Sequence, residues 1–127
     1  MRTIAILSLL AACGEPELTI SFDAPLCEAE GEAESDSFTV VAVDEETILA
    51  SRDAVTQSCS ARFVPVVEAE RGLVRVREYW EEGAQSSCTA CFSPTVELGP
   101  FSEREIEIHW FEGDADLPEH VAEVPLR

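Results

Sequence analysis

The chain has 127 residues, with 26 Asp and Glu against 8 Lys and Arg, which gives a formal net charge of −18 at pH 7. This length favours one domain with a tail at most, and it excludes a Rossmann enzyme, a TIM barrel and a protein kinase. The charge excludes nucleic acid as a partner and a polybasic contact with anionic lipid, because both need clustered Lys and Arg. The apolar content of 46% is typical of a folded globular protein.

The N-terminus carries a short apolar run that ends in a cysteine. Arg2 is the one charged residue before the run, which starts at Ile4. Spanning a bilayer needs roughly 20 residues, so this run is too short to do so, but it fits the core of a signal peptide. The run ends in Leu10-Ala11-Ala12-Cys13, which resembles the lipobox of bacterial lipoproteins. An ordinary cleaved signal peptide or a start site at another position is the alternative.

The lipoprotein resemblance implies a processing route and a location. Residues 1–12 would be the signal peptide, and Cys13 would carry a diacylglyceryl group on its sulfur and an acyl chain such as palmitate on its new amino group. Residues 13–17 would form a tether and residues 18–127 the folded domain. Several acyl chains anchor firmly, since each buried CH₂ contributes roughly 0.8 kcal/mol. Gly14 after the cysteine implies, by the family's sorting rule, the outer membrane or periplasmic face of a Gram-negative envelope.

The first half of the domain is predicted to form short strands. Leu18–Phe22 alternates apolar and polar residues, which predicts a strand. The acidic run Glu28–Asp36 predicts a solvated loop. Phe38–Val43 is a strongly apolar strand that leads into a turn at Asp44–Glu46, and Thr47–Ala50 is either a strand or a helical turn.

The middle of the chain predicts a hairpin. Ala61–Val67 is a strand broken by Pro65, which places it at a sheet edge because proline cannot donate to the ladder. Glu70-Arg71-Gly72 turns the chain, and Leu73–Trp80 returns. One face of the returning strand is predicted to carry Val74, Val76 and Trp80.

The C-terminal third holds the most regular alternation in the chain. Glu105–Trp110 is predicted to be a strand with its isoleucines and Trp110 inward, and Val121–Val124 a last short strand. The outward residues of the first strand are predicted to be Glu105, Glu107 and His109. Arg75 and Arg77 are expected to face Glu105 and Glu107 across neighbouring strands.

Six to eight short strands with turns between them favour an all-β, antiparallel sandwich. Cys88–Cys91, followed by Val96-Glu97-Leu98-Gly99-Pro100 and Glu105–Trp110, resembles the layout of small secreted β-sandwich lipoproteins of bacteria. Ser102–Glu105 stands where that pattern has a glycine and a tyrosine. The resemblance implies an immunoglobulin-like fold and carries no known activity.

Four cysteines remain after Cys13, at positions Cys27, Cys59, Cys88 and Cys91. An even number in an exported chain predicts two disulfides, each worth roughly 2–4 kcal/mol. The CxxC at 88–91 precedes a strand rather than a helix, which disfavours a redox site, and the spacings of the four do not resemble a zinc ribbon. In an extended segment Cys88 and Cys91 point to opposite faces, so we expect Cys59 to pair with one of them and Cys27 with the other.

The sequence carries no motif for catalysis or for a cofactor. It has no Gly-x-Ser-x-Gly, no His-Glu-x-x-His and no phosphate-binding glycine loop, so we assign no catalytic residue, no cofactor and no metal ligand. His109 is expected to be solvated or paired with a glutamate. Calcium is the chemical alternative, through Glu112-Gly113-Asp114-Ala115-Asp116 with Glu119 or through Glu28–Asp36. The leading prediction is a lipid-anchored envelope protein that is not an enzyme and that serves as an interaction or structural module, with the membrane and an unidentified envelope protein as partners.

Overall fold

The structure is a computed structural model that describes residues 3–7, 18–27, 37–53, 55–83 and 87–126. These residues form thirteen β-strands and no helix, which confirms the all-β prediction. The strands are β1 (Thr3–Leu7), β2 (Leu18–Asp23), β3 (Phe38–Ala42), β4 (Ile48–Arg52), β5 (Val55–Ser58), β6 (Arg62–Phe63), β7 (Val66–Glu70), β8 (Leu73–Glu78), β9 (Trp80–Glu81), β10 (Thr89–Phe92), β11 (Thr95–Gly99), β12 (Glu105–Glu112) and β13 (His120–Pro125).

Two large sheets enclose one core. The first has the strand order β1-β2-β11-β4-β3 and the second β13-β12-β8-β7. Inward residues of both sheets join in a single apolar cluster, because the period-two alternation places every second side chain of each strand on the same face. Its fully buried members are Ile48, Ala50, Val74, Val76, Val96, Leu98, Ile106, Ile108 and Trp110.

A long bent hairpin connects the two sheets. Residues 48–70 run outward as β4, β5, β6 and β7, and residues 73–99 return as β8, β9, β10 and β11. The outer part of this ribbon, β7 with β8, belongs to the second sheet, whereas β4 with β11 belongs to the first. The short pairs β5–β10 and β6–β9 lie between them along the chain. Pro65 interrupts the ribbon before β7, which is an edge strand of the second sheet as predicted.

Two details differ from the sequence-based prediction. The strand count exceeds six to eight, because four long strands are each split in two, for example by Pro65 and by the fully buried Pro94. In addition β12 pairs with β8 in parallel, with Ile108 opposite Val74, whereas all other strand pairs among the described residues are antiparallel. A parallel neighbour requires a crossover, and here the chain leaves β8 and passes through the first sheet as β11 before it returns as β12.

The ribbon reverses direction at a tight turn. Arg71 has a φ of 47° and Gly72 a φ of 82°, and both lie between β7 and β8. Positive φ at both central residues defines a type I′ turn, whose twist matches that of the flanking strands. A Cβ on Gly72 would lie 3.3 Å from Glu103 Cγ and from the Glu105 carbonyl oxygen, so glycine also allows the approach of β12.

The outermost strand of the first sheet comes from the predicted signal peptide. Thr3–Leu7 pairs antiparallel with β2, in a register that places Ile4 opposite Ser21. On its other side β2 pairs with β11, which places Glu97 opposite Ser21. Strand β2 is therefore flanked on both sides when the leader is present.

Candidate functional site

The predicted lipidation site, Cys13, lies outside the described residues, and so do the lipobox, the tether 13–17 and the acidic run Glu28–Asp36. The first described residue after the tether is Leu18, which is buried in the core.

The four remaining cysteines form two disulfides, which confirms that prediction. Cys27 is bonded to Cys91 and Cys59 to Cys88, each with a Cα–Cα distance of 5.4 Å. The backbone supports both links, since the amide of Cys27 donates to the Cys91 carbonyl and the amide of Cys59 to the Cys88 carbonyl, each at 3.0 Å. One bridge joins the segment after β2 to β10, and the other joins the residue after β5 to the residue before β10.

Both histidines take part in local contacts. Nε2 of His109 lies 2.7 Å from a carboxylate oxygen of Glu107, which confirms the predicted pairing with a glutamate. The ring of His120 stacks on Phe38, with centroids 5.1 Å apart and an interplanar angle of 13°. This stacking joins β13 of one sheet to β3 of the other.

The loop between β12 and β13 holds the carboxylates considered for calcium. Glu112 accepts a hydrogen bond from Arg52 Nη2 at 2.6 Å. The Tyr79 hydroxyl donates to Asp114 Oδ1 at 2.5 Å, and this hydrogen bond raises the pKa of Tyr79 above its ordinary value. The carboxylates at positions 112 and 114 thus bind protein groups. Among the described residues no cluster of three or more His, Cys, Asp and Glu is placed to hold a metal ion. For Glu28–Asp36 the calcium alternative stays a prediction.

A buried polar network crosses the sandwich, and sequence reasoning missed it. Glu78, only 6% exposed, lies on β8 of the second sheet, and Arg52, only 8% exposed, on β4 of the first. Arg52 Nη1 donates to Glu78 Oε1 at 2.9 Å. Trp110 Nε1 donates to the same oxygen at 2.8 Å, and Trp80 Nε1 donates to Oε2 at 2.7 Å. Three donors therefore converge on one carboxylate, and the second guanidinium nitrogen of Arg52 binds Glu112.

The signal for Glu78 was present in the alternation. Val74, Val76 and Trp80 were assigned to one face of the returning strand, and the same period places position 78 on that face. A buried carboxylate needs cationic or N–H donors, and a basic residue on β4 and two indoles supply them. Trp80 itself is partly buried and packs against the core.

The outer face of β12 and β13 carries closely spaced carboxylates. Glu107 lies directly opposite Glu123. A side-chain hydrogen bond with Glu105 raises the pKa of Glu123, and the negative charges of Glu105 and Glu107 add to this effect. This cluster is a ladder of like charges on an exposed surface.

The predicted arginine–glutamate ladder between β8 and β12 is wrong in register. The parallel pairing places His109 opposite Arg75 and Phe111 opposite Arg77. The Arg77 guanidinium carbon lies 4.4 Å from the Phe111 ring centroid, and its Nη1 donates to the carbonyl oxygens of Gly113 and Ala115 at 2.8 and 2.9 Å. Arg77 therefore fixes the β12–β13 loop rather than a glutamate.

A small open cleft of about 210 Å³ lies where the end of β2, the residues before and in β6, and the end of β10 meet. Three phenylalanines and two alanines line most of it, together with one acidic and one basic residue. The lining residues are Phe22, Asp23, Ala24, Ala61, Arg62, Phe63 and Phe92. Chemically, the cleft offers an apolar site with charges beside it.

No protein-family model, no curated protein and no solved structure matches this chain. None of the described residues belongs to a helix that is long and apolar enough to cross a membrane. The geometry of the site therefore has to be interpreted from its own residues.

Proposed function

We propose that this chain is a bacterial lipoprotein, anchored in the cell envelope through Cys13, whose β-sandwich acts as a non-catalytic interaction or structural module. The observation that carries the proposal is Leu10-Ala11-Ala12-Cys13 at the end of an N-terminal apolar run. Small residues before the cysteine suit the narrow site of a signal peptidase, and the thiol is the group that forms the thioether to lipid.

The cysteine pairing supports an exported location. All four cysteines after Cys13 are in disulfides. Structural disulfides persist in oxidising compartments and are rare in a reducing cytosol.

The position of β1 is compatible with loss of the leader. Because β1 is outermost, its removal leaves the order β2-β11-β4-β3 continuous. Ser21 of β2 is 7% exposed, and among the described residues its hydroxyl is the buried side-chain oxygen without a hydrogen-bond partner. Burying a hydroxyl without a partner costs roughly 1–3 kcal/mol. Cleavage would open the β1 side of Ser21 to water.

Among the described residues, one buried carboxylate and both histidines have contacts within the fold. Glu78 is held by Arg52 and two indoles, His109 by Glu107, and His120 lies on Phe38. These contacts are compatible with a scaffold that presents a surface, and the proposal of a module without catalytic activity rests on the lack of a catalytic motif in the sequence.

The proposal is tested by comparing the wild-type chain with Cys13→Ala in a bacterial host with the lipoprotein pathway. The wild type is expected to begin at Cys13 by mass spectrometry of the N-terminal peptide, to incorporate labelled palmitate and to sediment with membranes. Cys13→Ala is expected to take up no label and to leave the membrane fraction. Ser8→Ala, in the same apolar run, is the matched control and is expected to behave as wild type.

Two results would overturn the proposal. One is a wild-type product that retains Met1. The other is Cys13→Ala protein that still carries label or stays with membranes to the same extent as the wild type.

A further inference from the structure

The cleft described above has the properties of a preformed docking site. Phe22 and Phe63 pack edge to face with centroids 6.0 Å apart, and Trp80 lies 5.4 Å from Phe63 and 5.4 Å from Phe92. The disulfide Cys27–Cys91 ends next to Phe92. Since rings held by mutual packing and a nearby disulfide have little freedom to lose, an occupant binds without ordering the walls.

The size of the cleft limits what enters it. Pockets for drug-sized ligands have volumes of roughly 300–1,000 Å³, whereas this cleft has about 210 Å³. That volume suits one large apolar side chain. Leu26, which is 64% exposed and forms a β-bridge to Phe92, extends the apolar surface beyond the cleft. An occupant that fills the cleft and also covers this surface is a segment of a protein.

The net charge of the chain and the charges beside the cleft indicate that the bound segment is basic. The chain has a net charge of −18, and complementary charge steers a basic partner toward it. Of the two charged residues that line the cleft, Arg62 is paired with Glu81, and the other is the carboxylate of Asp23. The local balance thus favours a cation over an anion at the mouth.

If the lipid anchor proposed above is correct, the cleft lies on the side of the domain that faces away from the membrane. The tether enters β2 at Leu18, and Phe22 lies four residues further along the strand, roughly 13 Å away at the usual rise of a strand. The cleft is therefore at the end of β2 that is remote from the anchor.

We propose that this cleft is the docking site of a basic segment of another exported protein, which inserts one large apolar side chain, such as phenylalanine, between Phe22, Phe63 and Phe92. Such an aromatic anchor in a fitted pocket is the usual centre of a protein interface. The net negative charge of the domain attracts the basic segment, and the size and apolar lining of the cleft determine which side chain it accepts.

The test uses the full chain in phosphatidylcholine vesicles, which do not attract cationic peptides by charge. Both tryptophans of the chain contact cleft rings, Trp80 those of Phe63 and Phe92 and Trp110 that of Phe63, so the tryptophan fluorescence of the chain reports occupancy. The probes contain neither Trp nor Tyr. Acetyl-RRFRR-amide is expected to change the emission saturably. Acetyl-RRSRR-amide is expected to bind at least tenfold more weakly, about 1.4 kcal/mol, and acetyl-EEFEE-amide to give no change.

Filling the cleft is the matched variant. Ala61→Phe is expected to weaken RRFRR binding at least tenfold, whereas Ala42→Phe, the same change at an exposed site on β3, is expected to leave it unchanged. A benzoylphenylalanine version of the peptide is expected to cross-link to the lining residues of the unaltered chain, which tests the site even where Ala61→Phe fails to fold.

Equal binding of the Phe and Ser peptides, unaltered binding to folded Ala61→Phe, or cross-links outside the cleft would overturn the proposal. The titration needs no lipid, so a chain that retains Met1 can be tested in buffer. Failure of the anchor and failure of the cleft are thereby separate results.

Discussion

Glu78 connects the two sheets of the sandwich at the level of single atoms. A carboxylate in a core is destabilising unless donors satisfy it, and here an arginine from the opposite sheet and two indole N–H groups do so. The network also holds the indole N–H of Trp110, the largest fully buried side chain, and that of Trp80, which packs against the core. Glu78 thereby links β8 to β4 of the opposite sheet and to the indoles of β9 and β12.

Removing the charge of Glu78 is expected to be costly. In Glu78→Gln an amide NH₂ replaces one carboxylate oxygen, so at least one donor faces another donor and Arg52 loses its buried counter-charge. We expect a loss of about 3–5 kcal/mol in the free energy of unfolding, measured by urea titration. Glu81→Gln, which breaks the exposed pair with Arg62, is the control and is expected to cost about 1 kcal/mol or less.

A double variant separates the unpaired charge from the packing. Arg52→Met combined with Glu78→Gln is expected to cost less than the sum of the two single changes, because each single change leaves one buried charge without its buried partner and the double variant leaves none. Strict additivity, or a Glu78→Gln chain as stable as Glu81→Gln, would contradict the role of this network.

Inward and outward residues were largely predictable from the sequence, and their polar partners were not. The alternation of Glu105–Trp110 alone placed Ile106, Ile108 and Trp110 in the core, where all three are fully buried. The contact of Glu78 with Arg52 joins residues 26 positions apart on different sheets. No local pattern encodes such a contact, since it depends on how the sheets are superposed.

At the scale of strand pairs, β12 and β13 carry repulsion on their outer face. The raised pKa of Glu123 means that the folded state binds its proton more tightly than the unfolded chain, whose carboxyl has an ordinary pKa of 4.5. The contribution of this protonated carboxyl to the free energy of unfolding is therefore fully present below pH 4.5, and it is lost as the pH rises through the raised pKa of Glu123. At neutral pH the three carboxylates oppose pairing of the two strands.

Glu123→Gln is expected to raise the thermal unfolding midpoint at pH 7, because it removes the charge that faces Glu107. The difference from wild type is expected to vanish at about pH 3.5, where the carboxyl is protonated in both states. Glu68→Gln on β7 is the control, since Glu68 lies opposite Arg75 and its neutralisation is expected to give no such gain. A lower midpoint for Glu123→Gln at pH 7 would contradict this assignment.

Strand existence was predicted well, whereas strand pairing was not. Leu18–Phe22 was recognised by its alternation and Phe38–Val43 by its apolar run, because neither signal needs knowledge of a neighbouring strand. The parallel pairing of β8 with β12 was missed, and with it the position of Arg77 over Phe111. Register depends on the partner strand, and a chain that passes through another sheet between two strands gives no turn signal that fixes it.

At the scale of the molecule, the two disulfides lie outside the two large sheets and reinforce backbone contacts beside the β5–β10 pair. Cys27–Cys91 ties the segment after β2 to β10, and Cys59–Cys88 joins the two arms of the ribbon where β5 ends and β10 begins, with sequence separations of 64 and 29. The predicted pattern of one partner each for Cys27 and Cys59 follows from strand alternation at 88–91, whose cysteines point to opposite faces.

Removing either bridge is expected to cost a similar free energy despite the twofold difference in loop length, because loop-closure entropy grows only with the logarithm of the separation. The loop-closure entropy of the unfolded chain corresponds to about 4 kcal/mol for each bridge. The double variants Cys27→Ser/Cys91→Ser and Cys59→Ser/Cys88→Ser are therefore expected to lower the urea midpoint by comparable amounts.

A domain of this size has a total stability of about 5–15 kcal/mol. Each double variant is therefore expected to fold, and the quadruple variant to be largely unfolded at the same temperature by circular dichroism. A quadruple variant that melts as cooperatively and as high as the wild type would show that the core and the Arg52–Glu78 network suffice without either bridge.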